Sequence, residues 1–134
     1  MKTKPVFSEL EINNVPFEKL EYNNTDKIIL FVDDINEQRW KITFFKMLGI
    51  KLLSIDLGYN YNSKDFKKYY YEDRNGIRHF KKYTLEIEES EWINDLKKTH
   101  ELEELKEARH YLVTFYDYAL EVIACGVNLE QVSC

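Results

Sequence analysis

Short stretches in which apolar and polar residues alternate are the feature that most restricts how this chain can fold. Residues 38–47 show the clearest alternation, because Trp40, Ile42 and Phe44 fall on one face of an extended chain. A short polar connector joins them to the preceding residues 27–32, which are rich in β-branched and aromatic side chains. The two stretches therefore predict a β-hairpin.

Further alternating stretches predict additional strands. Leu48 and Gly49 are expected to turn the chain, so that residues 50–57 form a third strand beside the first hairpin. The short links between these segments favour antiparallel pairing. The other predicted strands are residues 6–12, 84–88, 110–116 and 119–127.

The best local turn signal lies in the middle of the chain. Asn75-Gly76 readily forms a two-residue hairpin loop, because both residue types tolerate positive φ. With these two residues as the whole loop, Tyr71 lies opposite Phe80. This register pairs aromatic residues across the two strands.

One stretch, near residues 91–107, has helical rather than strand spacing. Ser90 is the expected N-cap, and Trp92 and Ile93 begin the apolar face of the helix that follows. The later leucines do not continue this face in phase. We therefore expect a break in the helix near Thr99.

Together these elements define an α+β fold. It is expected to be a mostly antiparallel, curled sheet or partial barrel of about six to eight strands, with one broken helix near residues 91–107. The length of 134 residues fits a single domain that spans residues 1–134. The side chains expected to share one core are Trp40, Ile42, Phe44, Tyr71, Phe80, Trp92 and Leu112.

The charge of the chain is unevenly divided, although the net charge is only −5. Residues 64–82 hold seven Lys or Arg and three acidic residues, whereas residues 84–107 hold nine acidic residues and three lysines. An acidic face of this kind would attract a basic protein partner through fast, salt-sensitive association. The candidate protein-binding residues are Glu88, Glu89, Glu91, Trp92 and Asp95.

Two other functions stay open at this point. Residues 64–83 interleave cations and aromatic side chains, as surfaces that bind single-stranded nucleic acids do, although phosphates repel an acidic chain. The candidate residues of such a nucleic-acid-binding module are Lys68, Tyr70, Arg74 and Lys81. The third function is a small-ligand carrier or enzyme whose pocket lies in the curled sheet and is lined by Tyr and Trp.

The sequence lacks the motifs that identify most enzymes and metal proteins. Its four glycines form no phosphate-binding or dinucleotide fingerprint, and its three histidines lack the spacing of a zinc site. A set of Ser, His and acidic residues that meet in space cannot be inferred from composition. We therefore expect no catalytic residue, no metal site and no cofactor.

The location and partners of the chain are inferred on the same basis. The longest apolar run has five residues, so we expect neither a secretory signal nor a membrane-spanning segment. Two cysteines are a poor basis for a disulfide framework. The expected location is the cytoplasm. A basic protein is favoured as partner over nucleic acid or membrane, and the oligomeric state is left open.

Three local segments carry a family resemblance. They are Ser90-Glu91-Trp92-Ile93, His110-Tyr111-Leu112-Val113 and Glu121-Val122-Ile123-Ala124. These segments resemble parts of small uncharacterised bacterial proteins, some of which are similar to the immunity proteins that accompany toxins. The resemblance implies a protein-binding role and assigns no function to an individual residue.

Overall fold

The computed structural model describes residues 2–13, 15–22, 26–54, 70–72, 74–76, 78–80 and 82–132, and for residues 2, 70–72 and 78–80 it describes the backbone alone. Strands make up most of this part of the chain, with one α-helix and one short 3₁₀ helix. In chain order the elements are β1 (Lys2–Pro5), β2 (Lys19–Tyr22), β3 (Ile28–Asp33), β4 (Arg39–Ser54), β5 (Tyr70–Glu72), β6 (Arg78–Phe80), β7 (Leu85–Glu88), α1 (Glu91–Thr99), the 3₁₀ helix (Glu103–Lys106), β8 (Arg109–Thr114) and β9 (Tyr118–Gln131).

Seven of the strands form one sheet in the order β1-β7-β8-β9-β4-β3-β2. Every neighbouring pair in this sheet is antiparallel, and the sheet is not closed. Strands β5 and β6 form a separate two-stranded sheet. The prediction of a mostly antiparallel α+β fold is therefore confirmed, with strands as the dominant element.

The predicted hairpin of β3 and β4 is confirmed, and its connector is held by Asp34. The Asp34 Oδ1 atom accepts hydrogen bonds from the backbone N–H groups of Asn36 and Gln38, at 2.8 and 2.9 Å. The indole Nε1 of Trp40 donates to Asp34 Oδ2 at 2.9 Å. Asp34 is buried, so these three bonds replace the water that its carboxylate loses on folding.

The predicted turn at Leu48-Gly49 is wrong, because β4 continues through these residues to Ser54. A β-bulge between Met47 and Gly49 shifts the register there, and β9 pairs with β4 on both sides of the bulge. A glycine inside a strand often marks a bulge or a close backbone approach. The residues predicted as a third strand therefore extend β4, as far as residue 54.

The edges of the sheet also differ from the prediction. The strand predicted at residues 6–12 is wrong, because the edge strand β1 ends at Pro5 and the following segment crosses over the sheet. Within that segment Ile12 forms isolated bridges both to Asp34, just after β3, and to Lys82, shortly before β7. The other edge strand, β2, was not predicted, because its side chains are mostly polar and exposed.

The hairpin of β5 and β6 forms, but its register is one residue from the predicted one. Tyr71 pairs with His79 rather than with Phe80, so the two strands are centred on Asn75. Gly76 has a φ of 76°, which fits a loop of more than two residues that contains a left-handed glycine. The predicted two-residue loop is therefore wrong.

The second half of the chain follows the prediction closely. Ser90 caps α1, since its Oγ accepts a hydrogen bond from the Ile93 N–H at 3.1 Å. The helix ends at Thr99, and Leu105 belongs to a separate 3₁₀ helix, so the predicted break is confirmed. Strands β7, β8 and β9 then pair in order.

The main buried cluster joins the N-terminal segment to β3, β4, β8 and β9. It includes the predicted core residues Ile42 and Phe44, both fully buried. Leu112 is also buried but lies outside this cluster, because its neighbours Tyr111 and Val113 point into the cluster and strand neighbours alternate between faces. The prediction of one shared core is therefore wrong for Leu112.

The two tryptophans of the predicted core are half-buried. Trp40 packs against the main cluster, whereas Trp92, at the start of α1, does not, so the prediction of one shared core is also wrong for Trp92. The side chains of Tyr71 and Phe80 fall outside the described residues. In the part of the chain that is described, no helix combines the length and the apolar character required to cross a membrane.

Candidate functional site

A depression of about 800 Å³ lies between α1 and the sheet. We call it the acidic groove, and its lining residues are Lys51, Ile87, Glu88, Glu89, Glu91, Trp92, Asp95, His110 and Glu121. All five residues predicted to bind a protein partner line this one groove. The structure therefore brings the predicted candidate site together.

The acidic residues reach the groove through the passage from β7 into α1. Glu88 ends β7, and Glu89 adopts a positive φ of 55° that turns the chain towards the N-cap Ser90. Glu91 begins α1, and Asp95 follows four residues later on the same side of the helix. The contiguous sequence therefore delivers four carboxylates to one surface, three of them on exposed residues.

A hydrogen-bonded chain of Ser90, His110 and Glu121 fixes the start of the helix to the sheet. Ser90 Oγ lies 2.7 Å from His110 Nδ1, and His110 Nε2 lies 2.6 Å from Glu121 Oε1. A proton on Nε2 and a free lone pair on Nδ1 satisfy both contacts, since a carboxylate only accepts and a hydroxyl can donate. Ser90 and His110 are buried, and Glu121, which lines the groove, is half-buried.

These three residue types also form the nucleophile triads of hydrolases, but the geometry here is that of a helix anchor. Ser90 Oγ already accepts the Ile93 N–H as an N-cap, and Ser90 is not among the residues that line the groove. His110 faces the serine through Nδ1 and the acid through Nε2, the reverse of the arrangement in serine proteases. These three hydrogen-bonded residues therefore position α1 and do not present a nucleophile to the groove.

Trp92 is the aromatic centre of the groove, and neighbours on two strands fix it there. Its ring meets the ring of His110 edge to face, with centroids 5.3 Å apart and planes at 80°. A Cβ atom placed on Gly49 would lie 2.9 Å from Trp92 Cζ2, so the indole packs directly on the β4 backbone. The ammonium of Lys51 lies over the ring, with Nζ 4.0 Å from the centroid.

The groove is strongly negative. Its lining includes five carboxylates, of which Glu121 contacts His110, and a single lysine, Lys51. The potentials of these carboxylates add across the groove, which favours the approach of cations and repels phosphates. The ammonium of Lys51 already lies over the ring of Trp92, so the groove holds one cation of the protein itself.

Sequence reasoning missed four lining residues: Ile87 and the polar residues Lys51, His110 and Glu121. Strand pairing brings the polar residues into the groove, with Lys51 opposite Glu121 across β4 and β9, and His110 on the neighbouring strand β8. Glu121 carried a usable signal, because it is a lone acid within the apolar run 119–124. The approach of Lys51 and His110 had no comparable local signal.

The candidate residues for nucleic-acid binding are described only in part. Lys68 and Lys81 lie outside the described residues, and for Tyr70 the structure gives the backbone position in β5. Arg74 is exposed in the β5–β6 turn. The module at residues 64–83 therefore stays a prediction, as does a ligand pocket within the curled sheet.

Comparisons of the chain with protein-family models, with curated proteins and with solved structures found no match. The resemblance to immunity-like proteins therefore stays a prediction. The three segments that carry it nevertheless meet in space, because Ser90, His110 and Glu121 belong one to each segment and are hydrogen-bonded in a chain.

Proposed function

We propose that this chain is a non-enzymatic protein-binding domain that uses the acidic groove to bind a basic surface of another protein. The observation that carries the proposal is that five carboxylates and one fixed tryptophan, Trp92, line a single groove of about 800 Å³. Such a surface offers a partner both electrostatic attraction and an aromatic contact. The groove disfavours nucleic acid as a ligand, because its carboxylates repel phosphates.

The exposed carboxylates and the tryptophan would act at different stages of binding. Glu89, Glu91 and Asp95 are exposed, so their field extends into solvent and speeds the encounter with a basic surface. Trp92 is half-buried and held by its neighbours, so it loses little conformational freedom when a partner covers it. The carboxylates would therefore mainly set the association rate, and Trp92 the lifetime of the complex.

The resemblance to immunity proteins suggests a more specific form of this proposal. In that form the partner is a toxin, and the acidic groove covers a basic surface that the toxin needs for its activity. We place the encounter in the cytoplasm, where the free thiol of Cys125 stays reduced.

A binding measurement with a defined basic probe tests the proposal. The probe is a capped, fluorescein-labelled peptide of alternating Arg, Lys and Ser, and its affinity is measured by fluorescence anisotropy over a range of salt concentrations. We expect salt-sensitive binding to the wild-type chain. The double reversal Glu91→Lys and Asp95→Lys should weaken binding by roughly tenfold or more, because it replaces attraction with repulsion in the groove.

The matched control reverses Glu104 and Glu107 to Lys. Both residues are exposed and neither lines the groove, so this variant has the same net charge with the groove unchanged. We expect it to weaken binding by less than about threefold through its long-range field. Equal losses in the two variants would contradict the proposal, since binding would then follow net charge alone.

A further inference from the structure

We infer that the acidic groove takes up an arginine side chain of the partner, whose guanidinium stacks on Trp92 in the place that the Lys51 ammonium occupies in the free chain. The inference rests on the proposed function, because it names the side chain that the groove recognises in a basic partner. The groove is more than acidic, because its lining pairs an aromatic ring, that of Trp92, with a cation, that of Lys51.

Trp92 has the properties of a preformed stacking platform. The edge-to-face contact with His110 and the close approach to Gly49 hold its ring in place. His110 is itself held between Ser90 and Glu121, so the support extends into the sheet. A ring that is fixed before binding loses little entropy on accepting a ligand.

Lys51 marks the position of a cation on this platform. Its Nζ lies 4.0 Å from the centroid of the Trp92 ring, within the distance range of favourable cation–π contacts. Lys51 is an exposed residue of β4, and its ammonium reaches the ring on a flexible four-carbon stem. It can therefore leave the ring when a better ligand arrives, and it competes with that ligand until it does.

The surroundings of the ring favour arginine over lysine. Glu91 and Asp95 are four residues apart on α1, and both line the same groove as Trp92. A planar guanidinium can stack on the indole and still donate N–H groups in its own plane to carboxylates, whereas an ammonium offers a point charge. Trp92 is the one Trp, Tyr or Phe in the described lining, which is too few for a cage around a quaternary ammonium.

Calorimetric titration of the full chain with two capped peptides tests the inference. The peptides share one serine-rich sequence and carry either arginines or lysines at the same positions. We expect the arginine peptide to bind the wild-type chain roughly fivefold more tightly. Trp92→Leu should bring the ratio of the two affinities close to one, because the stacking surface is lost.

The variant Lys51→Met should bind the arginine peptide roughly threefold more tightly than wild type, because the competing cation is gone. The control Lys106→Met makes the same charge change at an exposed lysine that does not line the groove, and it should have a smaller effect.

Equal affinities for the two peptides would overturn the inference. So would a Lys51→Met variant that binds no more tightly than Lys106→Met. In either case, binding that still requires Glu91 and Asp95 would leave the proposed function standing. If neither peptide binds wild type or Lys51→Met, both the inference and the proposed function are overturned.

Discussion

The indole of Trp92 lies so close to Gly49 that a single added methyl group would collide with it, at 2.9 Å from Cζ2. This contact joins the helix that carries the acidic residues to the bulge in the longest strand of the sheet. The absence of a side chain at Gly49 is therefore a requirement of the groove and not a feature of a turn.

Gly49→Ala is expected to displace the Trp92 ring. We predict a loss of about 1–3 kcal/mol in the free energy of unfolding, as is usual for an overpacked contact, together with weaker binding of a basic peptide. Urea denaturation measures the loss of unfolding free energy, and near-ultraviolet circular dichroism measures the displacement of the Trp92 ring. The control is Gly126→Ala, where the nearest atom to an added Cβ is Phe45 Cδ2 at 3.9 Å. Equal stability of the two variants would contradict the described packing of Trp92.

Ser90→Ala removes two interactions at once. The helix loses its N-cap acceptor for the Ile93 N–H, and the buried Nδ1 of His110 loses its partner. We predict a loss of about 2–4 kcal/mol in unfolding free energy, from the cap and from the unsatisfied nitrogen together. Thr99→Ala, at the exposed end of the same helix, should cost far less. Urea denaturation measures these losses. If Ser90→Ala cost no more unfolding free energy than Thr99→Ala, the hydrogen bonds of Ser90, His110 and Glu121 would not anchor α1.

Asp34 should make the stability of the fold depend on pH in the acid range. Burial by itself raises the pKa of this carboxyl, but hydrogen bonds from Trp40, Gln38 and Asn36 together hold its pKa below the ordinary value of 3.8. Its contribution to stability is therefore complete above the unfolded-state pKa and is lost as the pH falls through the lower folded-state pKa.

Asp34→Asn should cost about 1–3 kcal/mol near neutral pH, because its amide group cannot replace every carboxylate hydrogen bond. The difference in unfolding free energy between wild type and this variant should shrink as the pH drops below the ordinary aspartate value. Asp95→Asn, at an exposed carboxylate, serves as the control. A difference that stays constant down to the acid range would refute the assigned shift in the pKa of Asp34.

Lys82 should make the stability of the fold depend on pH in the alkaline range. Burial lowers the pKa of its ammonium from 10.5 to about 8, and its Nζ donates to the backbone oxygen of Phe115 at 3.2 Å. Between these two pKa values the unfolded chain keeps a proton that the folded chain has released, so a rise in pH favours folding.

The free energy of unfolding of wild type, measured relative to Lys82→Met, should rise by about 2 kcal/mol between about pH 7.5 and about pH 9.5. The comparison with Lys82→Met cancels the titration of groups that the two chains share. Parallel pH profiles for the two chains would mean that Lys82 keeps its ordinary pKa in the folded state.

Features encoded by neighbouring residues could be predicted from the sequence. The β3–β4 hairpin follows from local alternation, and the start of α1 follows from one capping serine, Ser90. The acidic half of the groove was also predictable, because residues 88–95 are contiguous and the turn after β7 keeps them on one surface.

Features that depend on distant pairing could not be predicted in the same way. Gly49 reads locally as a turn, and only the pairing of β4 with β9 shows that the strand continues through it. The same pairing sets Lys51 opposite Glu121, which is seventy positions away in the chain. Lys51, His110 and Glu121 therefore reach the groove through the sheet topology, which a local pattern does not specify.

In the proposed function, the acidic groove is the surface that meets a basic partner. Mapping of amide and indole chemical shifts in the isotope-labelled chain, during titration with the peptide of alternating Arg, Lys and Ser, tests it most directly. We predict that the largest shifts fall on the Trp92 indole N–H and on the amides of residues 88–95, with smaller ones at Lys51 and His110. Shifts that spare Trp92 and residues 88–95 and cluster on another face would contradict it.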